Sequence, residues 1–225
     1  MTSHEIDWFN VLEETMKWRK FYEGSRIVVK FGGALAEAPK VVLNIAKQVI
    51  CLKEFIRLSV VVVHSGGKQV DAKLEALGKE IKRDQKTGLR ITDQNTLEAT
   101  DDSLGCLNRD IVETFRNVGH DIIPVGAAGY KQNIVATSCG RDLGGFTGHL
   151  PVVSEGSCLD DWSADDFASY IPIIYPICQN RDSNGQENRL NVNADDVAAA
   201  IAEHLKVKRF ILCSDIPGVL DAEGK

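Results

Sequence analysis

The spacing of apolar residues separates helices from strands along this chain. From residue 5 to residue 22, Ile6, Phe9, Leu12 and Met16 recur at steps of three and four, with Trp8 and Val11 alongside and Glu13, Glu14, Lys17 and Arg19 between them. That spacing predicts an amphipathic helix, packed on its own domain or against another subunit. Ile27, Val28 and Val29 then run without a break, as expected of a parallel strand covered on both faces. The strand runs out through Lys30 into Gly32 and Gly33, where backbone N–H groups can approach a phosphate beside a fixed cation. Pro39 to Phe55 reads as a helix opened by its proline, and Ser59 to Val63 as a second buried strand. The second strand ends in His64-Ser65-Gly66-Gly67-Lys68 and leads into a helical run, Val70 to Leu77. Two glycine turns at strand C-termini can face one pocket, because ligands of parallel α/β sheets sit outside those ends.

Further along, Arg90 lies just past Gly88, where a loop can present its guanidinium to a carboxylate in two-pronged geometry. A long helix is predicted from a cap at Thr92 or Asp93 through Leu97, Leu104, Leu107 and Ile111 to Phe115. Ile122 to Val125 is a short strand whose pairing Pro124 limits. Periodicity weakens between Gly126 and Ala168, where Asn133 to Ser138 and Leu150 to Ser154 form a candidate hairpin, of the kind that serves as a lid. Asp160, Asp161, Asp165 and Asp166 around Ser163 read more simply as helix caps than as metal ligands. Ile171 to Ile177 is a strand that Pro172 and Pro176 either place near an edge or end early, and Asp182, Asn184 and Gly185 mark a turn. Asn191, Asn193, Asp195 and Asp196 precede or open an alanine-rich helix, with Asn193 or Asp195 as its cap. Lys208 to Ser214 is the last strand, followed by a turn through Asp215 and Gly218.

With 225 residues, 44% of them hydrophobic, the chain has room for one large α/β domain or two small ones. Its net charge of -6 argues against a general nucleic-acid binder but leaves room for a local anion site. The six cysteines stand singly, without a Cys-x-x-Cys pair, and read as free thiols. No apolar run is long enough for a transmembrane helix and no signal peptide is evident, so a cytoplasmic protein is expected. Neither glycine turn fits the Gly-x-x-x-x-Gly-Lys-Ser/Thr pattern of a P-loop.

Taken together, Val-Val-Lys-Phe-Gly-Gly, His-Ser-Gly-Gly, Gly-Leu-Arg-Ile-Thr-Asp, Leu-Asn-Val-Asn-Ala-Asp and Ser-Asp-Ile-Pro-Gly-Val-Leu-Asp resemble the amino-acid kinase family in order and spacing, most closely the N-acetylglutamate kinases. The resemblance implies a three-layer αβα sandwich around a mainly parallel sheet. It also implies an N-terminal helix over residues 1–24, then a kinase domain over 25–225, with a substrate lobe to about 190 and part of a nucleotide lobe after it. Lys30 would stabilise charge on the transferring phosphoryl group and Asp195 would orient it. Gly66, Gly67, Arg90 and Asn191 would bind substrate, while Gly32, Gly33, Ser214, Asp215 and Gly218 would serve phosphate and nucleotide. The implied reaction uses ATP with Mg2+ to phosphorylate the side-chain carboxylate of N-acetyl-L-glutamate in arginine biosynthesis. The implied partners are copies of the same chain, as a dimer or hexamer, and an arginine effector. The neighbouring readings are a silent binding or regulatory subunit and a kinase for N-acetylaminoadipate. Two departures from the family pattern stand out. Ser65 replaces the usual first glycine of its turn, and the pattern's second catalytic lysine has no counterpart before Lys225, which leads to the expectation of poor ATP binding and slow or no turnover.

Overall fold

A computed structural model describes residues 7–119, 121–160, 169–181 and 189–215. The predicted roles of Gly218, of Asp161, Ser163, Asp165 and Asp166, and of the turn at Asp182, Asn184 and Gly185 therefore fall outside the described residues. The central sheet is built from β3 (Ile123–Ala128), β6 (Tyr170–Tyr175), β2 (Ser59–His64), β1 (Arg26–Phe31) and β9 (Arg209–Cys213), in that order and all parallel. Strand alternation decides what each face of β1 meets. Ile27, Val29 and Phe31 point into a core shared with α3 (Pro39–Ile56) and α5 (Gln94–Val118). Val28 points the other way, into a core shared with α6 (Ala194–His204), and Lys30, two residues on, takes the same side.

That second face is also covered by a smaller sheet, ordered β5 (Gly148–Val153), β4 (Ile134–Ser138), β7 (Ile177–Asn180) and β8 (Arg189–Asn191). The arrangement is an α/β fold with a parallel central sheet between two covering layers. Helix α1 (Trp8–Tyr22) lies outside the main layers and touches α3, and the short α2 (Gly33–Ala36) follows β1. The side chain of Asp7 caps its start, accepting from Phe9 N–H at 3.1 Å.

The expected helices and strands appear close to their predicted bounds, and the β4–β5 hairpin forms as an antiparallel pair. The edge position offered for the Pro172 strand is corrected, since β6 lies inside the sheet between β3 and β2, whereas the early end offered beside it is found: β6 stops at Tyr175. Pro172 is tolerated because β2 pairs with β6 only at Ile173 and Ile174, beyond the proline, whereas β3 runs alongside the whole strand. Pro176 then separates β6 from β7. Pro124 sits on β3, a true edge, and does not shorten it.

Candidate functional site

The register of the parallel sheet lines up three loops. Phe31 is aligned with His64 on β2 and with Cys213 on β9, so the chain leaves the sheet at Gly32, Ser65 and Ser214 along one line. The two predicted glycine turns meet there. A Cβ on Gly33 would lie 2.8 Å from Gly67 N, a backbone clash that demands glycine, while one on Gly66 would lie 2.8 Å from the Leu104 and Leu107 methyls, which would have to shift to admit it. Gly32 and Gly67 have open space around them, and neither adopts positive φ. Nothing in the protein's own packing requires glycine at these two, which suits close approach by a ligand. Lys30, on the α6 side of β1, reaches Asp195 in the first turn of α6, with Nζ 2.6 Å from Oδ1. Asn193 caps that helix through Asp195 N–H at 3.0 Å, leaving the Asp195 carboxylate to the lysine.

Beside this pair lies a cavity of about 270 Å³ lined by Gly66, Gly67, Arg90 and Asn191 among others. All four predicted substrate residues are thus brought together. Arg90 is buried, and its guanidinium donates to Asp71 Oδ1 at 2.5 Å and to Gly67 O at 3.2 Å, which ties it to helix α4 (Gly67–Ala76) and leaves further N–H groups for a ligand. The Asn191 amide donates to Thr92 Oγ1 at 3.1 Å, and Thr92 Oγ1 donates to Arg90 O at 2.9 Å. Thr147, 1% exposed, completes the wall: its hydroxyl lies 2.8 Å from Arg90 O and 2.7 Å from Leu143 O and accepts from Thr92 N–H at 3.1 Å. Gly144, at φ +84, presses against Thr92 O, where a Cβ would stand 2.4 Å away. The loop predicted as part of a lid is therefore bonded into the cavity wall.

Below the site, His64 is fully buried and its pKa is pushed down to about 4 by loss of solvation. Asn108 donates to its Nε2 at 3.0 Å and to Ile173 O at 2.9 Å, so Nε2 is the acceptor and the ring proton sits on Nδ1, facing Ser65 O at 3.4 Å. Asn108 fits because Gly126 has no side chain; a Cβ there would fall 2.0 Å from Oδ1. Ser214 and Asp215 follow β9 and are not among the cavity's lining residues; Ser214 Oγ stands 3.4 Å from the Asp215 carboxylate. Among the described residues no group of three or more His, Cys, Asp or Glu side chains is placed to hold a metal ion, and Asp160 pairs with His204 at 2.5 Å.

Sequence reading did not single out Asp71, Arg83 or Thr147. Asp71 stands four residues after Gly67, one helical turn into α4, and that spacing was the available signal. Thr147 carries no signal of its own, because the partners that tie it to the cavity wall, Arg90 and Thr92, lie more than fifty residues away.

Residues 25–225 match the model of the amino acid kinase family. The acetylglutamate kinase of Ehrlichia chaffeensis is 31% identical over 236 residues, covering 97% of this chain and 70% of that protein. That of Brachyspira hyodysenteriae is 34% identical over 211 residues, covering 93% and 69%. This chain thus spans about 70% of the length of these relatives. Among solved structures, an N-acetylglutamate synthase from Neisseria gonorrhoeae complexed with coenzyme A and N-acetyl-glutamate superposes with a TM-score of 0.74 at 16% identity, over 97% of this chain and 48% of that one. The smu.665 protein of Streptococcus mutans gives 0.69 at 22% identity, over 88% and 76%. The structural likeness speaks for the fold, the sequence match for the lineage: the chain belongs to the amino acid kinase family.

Proposed function

We propose that this chain binds N-acetyl-L-glutamate and takes part in moving the γ-phosphoryl group of ATP onto its side-chain carboxylate, yielding an acyl phosphate and ADP. The observation that carries the reading is the convergence of Arg90, Asn191, Gly66 and Gly67 on one cavity beside the Lys30–Asp195 pair. Arg90 holds the α-carboxylate, and Asn191, fixed by Thr92, binds the acetylamino group. The attacking oxygen belongs to a carboxylate, which is already ionised, so no side chain has to remove a proton. A new P–O bond forms to the substrate as the bond to ADP breaks, and Lys30 offsets the negative charge spread over the transferring group. Asp195 keeps the lysine aimed. Gly32 and Gly33, with Ser214, Asp215 and Gly218, serve the phosphates and the nucleotide, and residues 191–225 form the start of the nucleotide lobe. Magnesium enters with the nucleotide.

The test is a calorimetric titration of N-acetyl-L-glutamate into the folded chain, with L-aspartate and N-acetylaminoadipate as comparisons. Selective binding that weakens about a hundredfold in Arg90→Ala is the expected result, since removing one partner of a buried charge-assisted pair costs several kcal/mol. A folded chain that binds none of the three overturns the reading.

A further inference from the structure

Arg83 and Arg90 stand directly opposite one another on an antiparallel bridge. The ribbon that carries them is well closed. Ile91 N–H donates to Lys82 O at 2.9 Å and Asp84 N–H to Leu89 O at 2.8 Å; the turn is fastened by Thr87 N–H on the Asp84 carboxylate at 2.8 Å and by Gly88 at φ +70. Residues opposite one another on such a ribbon project to the same side, so two guanidiniums are forced together, an arrangement that costs stability by itself. Asp71 of α4 lies between them. Its Oδ1 takes Arg90 Nη1 at 2.5 Å and its Oδ2 takes Arg83 Nη2 at 3.0 Å.

One carboxylate cannot neutralise two guanidiniums. Both arginines line the cavity, and among the described residues no aspartate or glutamate lines it, so the described wall carries a net positive charge. Lys30 is already paired with Asp195. The two arginines also differ in depth. The Arg90 side chain is 7% exposed, whereas that of Arg83 is 47% exposed and stands toward solvent. A like-charged pair held apart by a single carboxylate, one member deep and the other shallow, is arranged to accept one further anionic group.

We propose that Arg83 is a second recognition residue of this cavity, closing with Arg90 on the α-carboxylate of an N-acylated amino acid. The proposal rests on the reading of the cavity as an acylamino-acid site. It adds that one carboxylate of the ligand is read by two guanidiniums, which Asp71 spaces. Arg83, being the more exposed, meets the ligand first, and its contribution is the more sensitive to salt.

The test is a thermodynamic cycle on the intact chain between Arg83 and the ligand's α-carboxylate. Affinities of wild type, Arg83→Gln and Arg83→Lys are measured by calorimetry for N-acetyl-L-glutamate and for its α-carboxamide analogue. Thermal melts verify that the variants are folded. Arg83→Gln is expected to weaken binding of the acid about five- to tenfold, as for loss of one partly exposed charge-assisted contact, and to leave the carboxamide within about twofold. Arg83→Lys, which keeps the charge without the planar fork, should fall between the two. Equal losses for acid and carboxamide would assign Arg83 a merely structural role and overturn the proposal. Unchanged affinity of Arg83→Gln for the acid would overturn it as well, while leaving the substrate reading in place. If the folded wild-type chain binds neither N-acetyl-L-glutamate nor other N-acetyl amino acids, both fall together.

Discussion

The cavity wall and the outer face of α1 are opposite ways of using side chains. In the wall, ordinary polar residues are buried and bonded: Thr92 and Thr147 are hidden from solvent, and each joins two chain segments far apart in sequence. On α1 the large apolar residues are exposed, Trp8 to 67% and Phe9 to 75%, and the helix has no buried residue. Burial of a polar group is costly unless it is fully partnered, so the wall is a region of high stakes in which small changes matter. An exposed apolar residue gives up little when it is replaced. Structural consequence therefore follows partnering more than it follows residue type.

The contrast is sharpest at His64. Its pKa in the folded chain is about 4, below the ordinary 6.5, because burial opposes the charged form. Between those values the unfolded chain takes up a proton that the folded one refuses, so stability falls as pH drops through that window. The contribution should be about 2 kcal/mol smaller at pH 5 than at pH 7. Urea unfolding across that range should show this slope in wild type and lose it in His64→Gln. If the two slopes are equal, the buried imidazole is not the group responsible.

A smaller loss is expected at the wall itself. Thr147→Val keeps the shape but removes the hydroxyl shared by Arg90 O, Leu143 O and Thr92 N–H. Thr92 N–H retains Leu143 O at 3.1 Å and Arg90 O retains the Thr92 hydroxyl, so the cost should be about 1 kcal/mol. Thr147→Ser should restore it. Thermal unfolding checks the stability. A parallel titration with N-acetyl-L-glutamate asks whether the wall also holds Arg90 and Asn191 in their binding positions, in which case affinity falls in the valine variant and returns in the serine one.

How legible each region was in the sequence follows from the range of its interactions. Strands β1 and β2, helices α3 and α5, and the β4–β5 hairpin were legible because local periodicity and punctuation specify them. Lys30, Arg90, Asn191 and Asp195 were legible because the stretches around them resemble those of a known family. Their supporting residues were not. Thr147 acts through Arg90, Thr92 and Leu143, and Asp71 through Arg83 and Arg90, in contacts that chain spacing leaves open. The Arg83–Arg90 pairing had a signal that went unread: a turn from Asp84 to Gly88 flanked by residues that can pair. Pro172 misled because a proline's place in a sheet depends on which neighbour pairs at that residue.

The smallest effect belongs to α1. Its apolar spacing forecast a helix correctly but left open what the apolar side would meet. The end near β9 is fastened: Lys208 Nζ lies 3.6 Å from the centre of the Phe21 ring and also donates to Phe21 O. Arg19 lies over Phe55 of α3 at 5.5 Å. Among the described residues the start of the helix has no comparable packing, with Trp8, Phe9, Leu12 and Met16 all exposed. Replacing Trp8 and Phe9 together with serine should therefore shift the unfolding free energy by no more than about 0.5 kcal/mol, whereas Phe21→Ala, which gives up the lysine contact, should cost about 1 kcal/mol. Urea denaturation of both variants at low protein concentration is the measurement. A loss of about 3 kcal/mol or more from the serine pair is the size expected for buried aromatic side chains, and would mean that this face is covered in solution, ending the contrast with the cavity wall.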